Sequence, residues 1–300
     1  MQPESELASI NMAFGAACAG KRVMVSSSSP GISLMQEGIS TLAAAQLPCV
    51  IVNIMRGGPG LGTIPPSQAD YFQATKGGGH GDYHSIVVAP ASVQEMADLT
   101  VLAFDLADQY RNPAVMLADG ILGQMMEPLV LPEIAPPVAE KSWVTNGAAG
   151  RKRNLLLAAP ENTAALMALN RHLAAKYAAI ASSEQRSQAY HTEDARIVVV
   201  AFGTAARVAL KAVEGARSDG LPVGLIRPIT LWPFPHQAFR ELRAEGVLTV
   251  EMNNGQMVED VRLAINGRVP VRSYGFGGGW FPDDESVREA IDRLWSELDL

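Results

Sequence analysis

Cysteine is nearly absent, with only Cys18 and Cys49 in 300 residues. Two thiols exclude a disulfide scaffold, a four-cysteine zinc site and any iron–sulfur cluster held by this chain alone. A reducing, cytoplasmic setting is the default expectation. Charge is thin as well. Asp, Glu, Lys and Arg make up 18% of the chain, against about 25% usually, and 31 acids against 24 bases leave a net charge of -7. That balance argues against nucleic-acid binding by phosphate neutralisation. No stretch reaches the roughly 18–20 uninterrupted apolar residues of a membrane span, and Met1 to Glu6 is acidic where a secretory signal would be basic. What fills the composition is apolar: about 55% with glycine counted and tyrosine left out, against roughly 45–50%. Either the surface is unusually apolar, or much of it lies against partner subunits.

Strand-length apolar runs alternate with helical periodicity. Glu6 to Ala19 reads as a mostly buried helix stopped by Gly20, Arg22 to Val25 as a strand, and Ser26 to Gly31 as a loop. A helix with Leu34, Ile39 and Leu42 follows, then the run Cys49 to Ile54, suited to a parallel strand buried on both faces. Arg56 to Asp82 is a 27-residue connection with no periodicity of its own. Connections beyond about 12–15 residues usually carry function, and this one leaves the carboxyl end of a core strand, where open α/β sheets bind ligands. Ile86 to Val88 is a strand, Ser92-Val93-Gln94-Glu95 a capping box opening a helix to about Gln109, and Ala114 to Leu117 a strand. The pattern dissolves between Gly120 and Arg153 in prolines that include Pro136-Pro137, and a helix runs from Glu161 to about Ser182. A second alternating block starts near Arg196: strands at Ile197, Val223, Val247 and Pro270, helices at Thr204, Gln237 to Arg243 and Val258, and a last helix headed by Asp283-Asp284-Glu285. The expected architecture is α/β, a parallel-sheet domain over 1–192 with a linker at 120–160, and a second α/β domain over 193–300.

Several motifs fail on context. Gly15 to Lys21 matches G-x4-G-K, but Arg22 replaces the magnesium-holding Ser or Thr and the motif precedes its strand. Arg56-Gly57-Gly58-Pro59-Gly60-Leu61-Gly62 misses the dinucleotide fingerprint by one position. His80 and His84 lie four apart among glycines that forbid a helix, so a metal site is not expected. No serine sits in a G-x-S-x-G elbow. Glu6, taken alone, is a carboxylate in the first turn of a helix, where it favours the macrodipole.

Six segments together are more specific: ESELASINM from Glu4, SSSSPGISLMQEG from Ser26, VIVNIMRGGPGLG from Val50, PSQADYFQATKGGGHGDY from Pro66, ADGILGQMMEP from Ala118 and VEMNNGQMVEDV from Val250. They resemble the alpha subunit of 2-oxoacid:ferredoxin oxidoreductases over essentially the whole chain, most of all the branched-chain members that oxidise 2-oxoisovalerate, with the 2-oxoglutarate members next. The resemblance implies a thiamine-diphosphate enzyme of several chains. The alpha subunit supplies a pyrimidine-binding domain and a transketolase C-terminal-like domain. A beta subunit holds the diphosphate, Mg2+ and an iron–sulfur cluster, and gamma and ferredoxin-like subunits complete the complex. CoA takes the acyl group and ferredoxin the electrons. The family's GDG…NN diphosphate motif is absent here, since Asp119-Gly120 has no preceding glycine and Asn253-Asn254 is too remote.

By the same resemblance, Glu6 is the carboxylate that bonds N1′ of the aminopyrimidine, and Arg56 binds the substrate carboxylate, for which a guanidinium fork is the natural partner. Ser28, Ser29, Pro30 and Gly31 approach the cofactor ring, while Gln68 and Asp70 order the long loop. Family members begin with a further βα unit carrying a Tyr-Pro-Ile-Thr-Pro-like segment, so such a segment is expected in frame upstream in the gene. A beta-type chain of a lipoamide-linked 2-oxoacid dehydrogenase, or an assembly module without catalysis, are the competing readings.

Overall fold

The computed structural model describes residues 1–133 and 141–300; Pro136-Pro137 of the expected linker lie outside them. Two five-stranded sheets carry the fold, in the orders β1-β2-β4-β3-β8 and β10-β9-β6-β7-β5. In the first, β1 (Met24–Ser27), β2 (Cys49–Met55), β4 (Pro113–Asp119) and β3 (Ile86–Val88) run parallel. Every residue of β4 is buried, as is all of β2 except Ile54. The continuous apolar runs exist because helices cover both faces of these strands. In the second sheet β6 (Ile197–Ala201), β7 (Val223–Pro228), β9 (Gly246–Val250) and β10 (Val271–Tyr274) are parallel.

The sheets do not divide the chain at one point. β5 (Ser187–Tyr190) pairs antiparallel with β7 of the second sheet, and β8 (Thr230–Trp232) returns to pair antiparallel with β3 of the first. Both strands are edges of three or four residues, too short for periodicity to reveal.

α1 (Glu6–Cys18) starts at Ser5, whose hydroxyl accepts from the Ala8 N–H at 3.2 Å. It crosses α2 (Ser29–Ala44) closely: a Cβ on Gly38 would stand 2.4 Å from Ile10 Cγ2, so glycine sets the spacing. Three expectations need correction. Ser26 to Gly31 is not a loop, because β1 runs through Ser27 and α2 begins at Ser29; extended Ser28 is the N-cap, and Pro30 falls in the first turn, where its missing N–H and fixed φ favour a helix. The 56–82 connection is not structureless but contains α3 (Tyr71–Thr75). Residues 237–243 form no α-helix, only a 3-10 turn at His236–Phe239 that follows Pro235. α4 (Val93–Tyr110) does open on Ser92, which accepts from the Glu95 N–H at 3.1 Å. The Glu95 carboxylate, however, reaches Ala91 N–H and forms a bidentate pair with buried Arg227 at 2.9 and 2.6 Å.

The remaining helices are α5 (Thr163–Ser183), α6 (Gly203–Ser218), α7 (Met257–Ile265) and α8 (Asp284–Glu297). Gln68 is bonded to the second sheet through both ends of its amide. Gln68, fully buried, donates from Nε2 to the Phe202 carbonyl at 2.8 Å and accepts the Met252 N–H on Oε1 at 3.1 Å. Backbone bonds surround it, from Gln68 N to Met252 O at 3.0 Å and from Asn253 Nδ2 to Gln68 O at 2.9 Å. Glu251 behind it accepts the Gln256, Met257 and Val258 N–H groups of α7; burial raises its pKa against those three donors. Gln68→Leu would strand the buried Met252 N–H and leave the Phe202 carbonyl with only the Ala206 N–H at 3.3 Å. A loss of about 1–3 kcal/mol is expected, read as a lower urea midpoint at unchanged slope.

Candidate active site

The carboxyl ends of β1 and β2 and the N-termini of α1, α2 and α3 converge at one place. Glu6, half-buried in the first turn of α1, accepts the Ser27 hydroxyl on Oε1 at 3.1 Å. Its Oε2 accepts no hydrogen bond among the described residues. Gly31 faces this carboxylate so closely that a Cβ would stand 2.1 Å from Ser27 Oγ and 2.6 Å from Glu6 Oε1. The chain therefore presents one free carboxylate oxygen beside a wall with no side chain.

Arg56 leaves the end of β2. Its backbone N–H donates to Ser29 Oγ at 3.1 Å, and the hydroxyl of Ser29 donates to Asp70 Oδ2 at 2.5 Å. The same Asp70 oxygen accepts Asn53 Nδ2 at 2.9 Å. Asp70 thus binds the start of α2, the strand β2 and its own position at the head of α3. The loop beyond Arg56 closes on itself: Arg56 bridges Pro66, Gly57 N–H donates to Pro65 O at 2.9 Å and Thr63 N–H to Gly57 O at 2.8 Å. The Arg56 guanidinium donates to the Leu61 carbonyl at 3.0 Å, and its buried Nε has no partner. That orphaned donor keeps capacity for an incoming acceptor.

The next turn is anchored to the second sheet. Ala69 O accepts Gln256 Nε2 and Phe72 N–H donates to Gln256 Oε1, both at 2.8 Å. Tyr71 OH donates to Asp260 at 2.6 Å, and Lys76 pairs with the other Asp260 oxygen. Burial, followed by the charge of Asp260, pushes the Tyr71 phenol well above its ordinary pKa, so it stays a donor. A cleft of about 700 Å³ opens between the two halves, walled by Gly58, Pro59, Asp70, Asn253, Asn254 and Phe276.

Of the residues singled out in the sequence, Glu6, Ser29, Gly31, Arg56 and Asp70 fall into this one cluster, and Gln68 stands behind it as the clamp. Ser28 serves as the α2 N-cap with no side-chain bond, and Pro30 as first-turn geometry. Two residues escaped sequence reading. Ser27, the serine that holds Glu6, is one of four in a row and was indistinguishable from its neighbours. Asn53 sits 1% exposed in an apolar strand, and a lone amide among VIVNIM was the only signal. His80 and His84 lie outside the cluster. His84 stacks on Trp232 at 4.4 Å and packs edge-on to Tyr177, and burial lowers its pKa.

A family model of pyruvate flavodoxin/ferredoxin oxidoreductase, thiamine-diphosphate-binding, matches residues 1–205, and one of pyruvate:ferredoxin oxidoreductase core domain II matches residues 195–284. The chain belongs to the 2-oxoacid:ferredoxin oxidoreductase family. It is 55% identical to ketoisovalerate oxidoreductase subunit VorB of Methanothermobacter marburgensis over 267 residues, 88% of this chain and 76% of that protein. It is 36% identical to 2-oxoglutarate synthase subunit KorA of Methanocaldococcus jannaschii, over 97% of this chain and 86% of that one. Among solved structures, the 2-oxoglutarate:ferredoxin oxidoreductase from Magnetococcus marinus superposes with a TM-score of 0.83 at 23% identity, covering 98% of this chain and 56% of that chain, which shows the shared fold.

The residues fit the pyrimidine end of thiamine diphosphate: a carboxylate with one oxygen held by Ser27, the other free, and a glycine cradle beside it. Gly31→Ala tests the cradle. It is expected to weaken thiamine diphosphate binding by at least about tenfold, while Gly15→Ala, with nothing within 4 Å of its Cβ in the middle of α1, leaves binding unchanged and stabilises the helix by up to about 1 kcal/mol. Calorimetric titration of the assembled complex measures both.

Proposed function

We propose that this chain is the alpha subunit of a multi-subunit 2-oxoacid:ferredoxin oxidoreductase acting on 2-oxoisovalerate. The overall reaction is oxidative decarboxylation, in which the 2-oxoacid anion and CoA give acyl-CoA, carbon dioxide and one proton, and two electrons pass singly to ferredoxin. The observation that carries the reading is the pairing, within one cluster, of the Ser27-held carboxylate of Glu6 with the Asp70-tethered loop of Arg56. The branched-chain substrate is supported by 55% identity to ketoisovalerate oxidoreductase subunits against 36% to 2-oxoglutarate synthase subunits.

Bound thiamine diphosphate supplies the electron-sink chemistry that decarboxylation of a 2-oxoacid requires. In this reading Glu6 holds a proton against N1′ of the aminopyrimidine, and Ser27 and the absent Gly31 side chain fix its direction. Arg56 offers its guanidinium to the substrate carboxylate, a charge-assisted contact whose orientation depends on the Ser29 and Asp70 tether. Residues 1–192 form the pyrimidine-binding unit and 193–300 the transketolase C-terminal-like unit, exchanging β5 and β8 at their seam.

The other half of the site belongs to partners. No diphosphate motif is present in the sequence, and two cysteines cannot hold a cluster, so the diphosphate, Mg2+ and iron–sulfur clusters are assigned to beta and ferredoxin-like subunits, with a gamma subunit in the same complex. The surface supports this. The chain exposes 14455 Å², against about 12,000 Å² for a monomer of this mass, and Leu7 and Met12 on α1, Leu34 on α2, and Leu61 and Ile64 on the loop after Arg56 stand exposed. Among the described residues no helix is long and apolar enough to cross a membrane, and a cytoplasmic location is part of the proposal.

Two variants in the assembled complex test the roles. Glu6→Gln is expected to lower 2-oxoisovalerate-dependent ferredoxin reduction about 10²–10⁴-fold, the usual worth of a positioned acid–base group. A full rate in an intact complex would show that Glu6 has no catalytic part and favour an assembly role for the chain. Arg56→Ala should raise KM for the 2-oxoacid more than it lowers kcat.

A further inference from the structure

Asn53 and Gln73 share an unusual constraint, since the hydrogen bonds of each fix which way its amide faces. Asp70, as a carboxylate, can only accept, so Asn53 must turn Nδ2 towards it at 2.9 Å and send Oδ1 the other way. Ser33 spends its one hydrogen on the Ser29 carbonyl at 3.2 Å, so its oxygen must accept Gln73 Nε2 at 3.1 Å, which sends Gln73 Oε1 away as well. Both discarded oxygens are buried and neither has a partner. A buried acceptor without a donor costs about 1–3 kcal/mol, so two on neighbouring elements require an explanation.

The two side chains line one cavity of about 20 Å³ beneath α2, together with Ile32, Ile51, Val115 and Ser85. One water needs about 10–15 Å³ measured in this way, and 2–4 polar partners. A cation would find the same two oxygens, but the lining, which also includes Gln36, Tyr83 and Ser85, has no acidic side chain to balance a buried charge.

We propose that this cavity binds a single water that donates to Asn53 Oδ1 and Gln73 Oε1, and that Asn53 is thereby a positioning residue for Arg56. The water closes the network between β2 and α3. With its orientation fixed, Asn53 holds Asp70; Asp70 holds the Ser29 hydroxyl; that hydroxyl accepts the Arg56 N–H where the chain turns into the loop. The kinetic part of the proposal rests on Arg56 reading the substrate carboxylate. The network ends at Arg56, and the Ser27–Glu6 bond that holds the cofactor-facing carboxylate lies outside it, so disturbing the network acts first on substrate binding.

The test has two arms on the assembled enzyme. In crystals that diffract well enough to show ordered water, a peak is expected about 2.7–3.0 Å from both oxygens. A collapsed space, or a peak at the about 2.3–2.6 Å contacts of a cation, overturns the water. In the second arm, Asn53→Leu and Gln73→Met are each expected to raise KM for 2-oxoisovalerate about tenfold, with kcat within about threefold and thiamine diphosphate Kd within about twofold. An unchanged KM in a complex of normal stability overturns the positioning role, and so does a matching loss of cofactor affinity, the mark of general damage. If Asn53→Leu does not assemble, Gln73→Met is read by the same criteria. A wild-type complex that turns over no 2-oxoacid overturns the functional reading instead, and the crystallographic arm still decides the water.

Discussion

The Asp70 carboxylate governs the geometry at the carboxyl edge of the first sheet. As a carboxylate it can only accept, and three segments satisfy it or depend on it: β2 through Asn53, the start of α2 through Ser29, and the loop after Arg56 through the Ser29 hydroxyl. Hydrogen bonds to a charged group are worth about 1.5–3 kcal/mol each, roughly twice a neutral pair. Packing could not do the same task, because the loop from Gly57 to Gly62 has few side chains to pack. A polar tether lets a glycine-rich loop stay thin enough for a ligand while its first residue is held in place.

The tether matters because the loop is also shared with the second half of the chain. Gln68, two residues before Asp70, is bonded on both ends of its amide to Phe202 and Met252, and the α3 segment is held again by Gln256 and Asp260. A displacement of the second sheet is therefore carried to Asp70 through a few rigid bonds. This gives a physical reason for the second unit to be fused to the first: it braces the loop that carries Arg56 from behind. The exposed leucines and isoleucine around Glu6 and Arg56 suit the proposed partner subunit, which would need an apolar rim to bury.

How far this was legible in the sequence depends on the kind of force involved. β2, β4, β6 and β9 were readable because strands buried on both faces need continuous apolar runs, and Ser92 was readable as a cap because its hydroxyl acts three residues away. The antiparallel edges β5 and β8 were not, because SQAY and TLW carry no signal apart from the neighbours they pair with. Ser26 to Gly31 misled because serine, proline and glycine signal loops in general, while Pro30 in the first turn of a helix signals a beginning. For the site, whole motifs drew attention to Glu6, Arg56, Gln68 and Asp70, but no local rule could show that Ser27, and not Ser28, turns to Glu6.

Asn53 shows where such reading ends. A polar side chain in a strand buried on both faces is costly unless every one of its atoms is used, so the amide in VIVNIM was a signal that something specific lies opposite. What lies opposite is Asp70, seventeen residues later and across a loop, and on the other side Gln73, whose own direction is set by Ser33 on a third element. Each orientation follows from one acceptor-only carboxylate and one hydroxyl with a single hydrogen, rules that are elementary once the four residues are near each other. The chemistry of the network was therefore present in the residue types, and only the fold supplied the proximity that makes it act on Arg56.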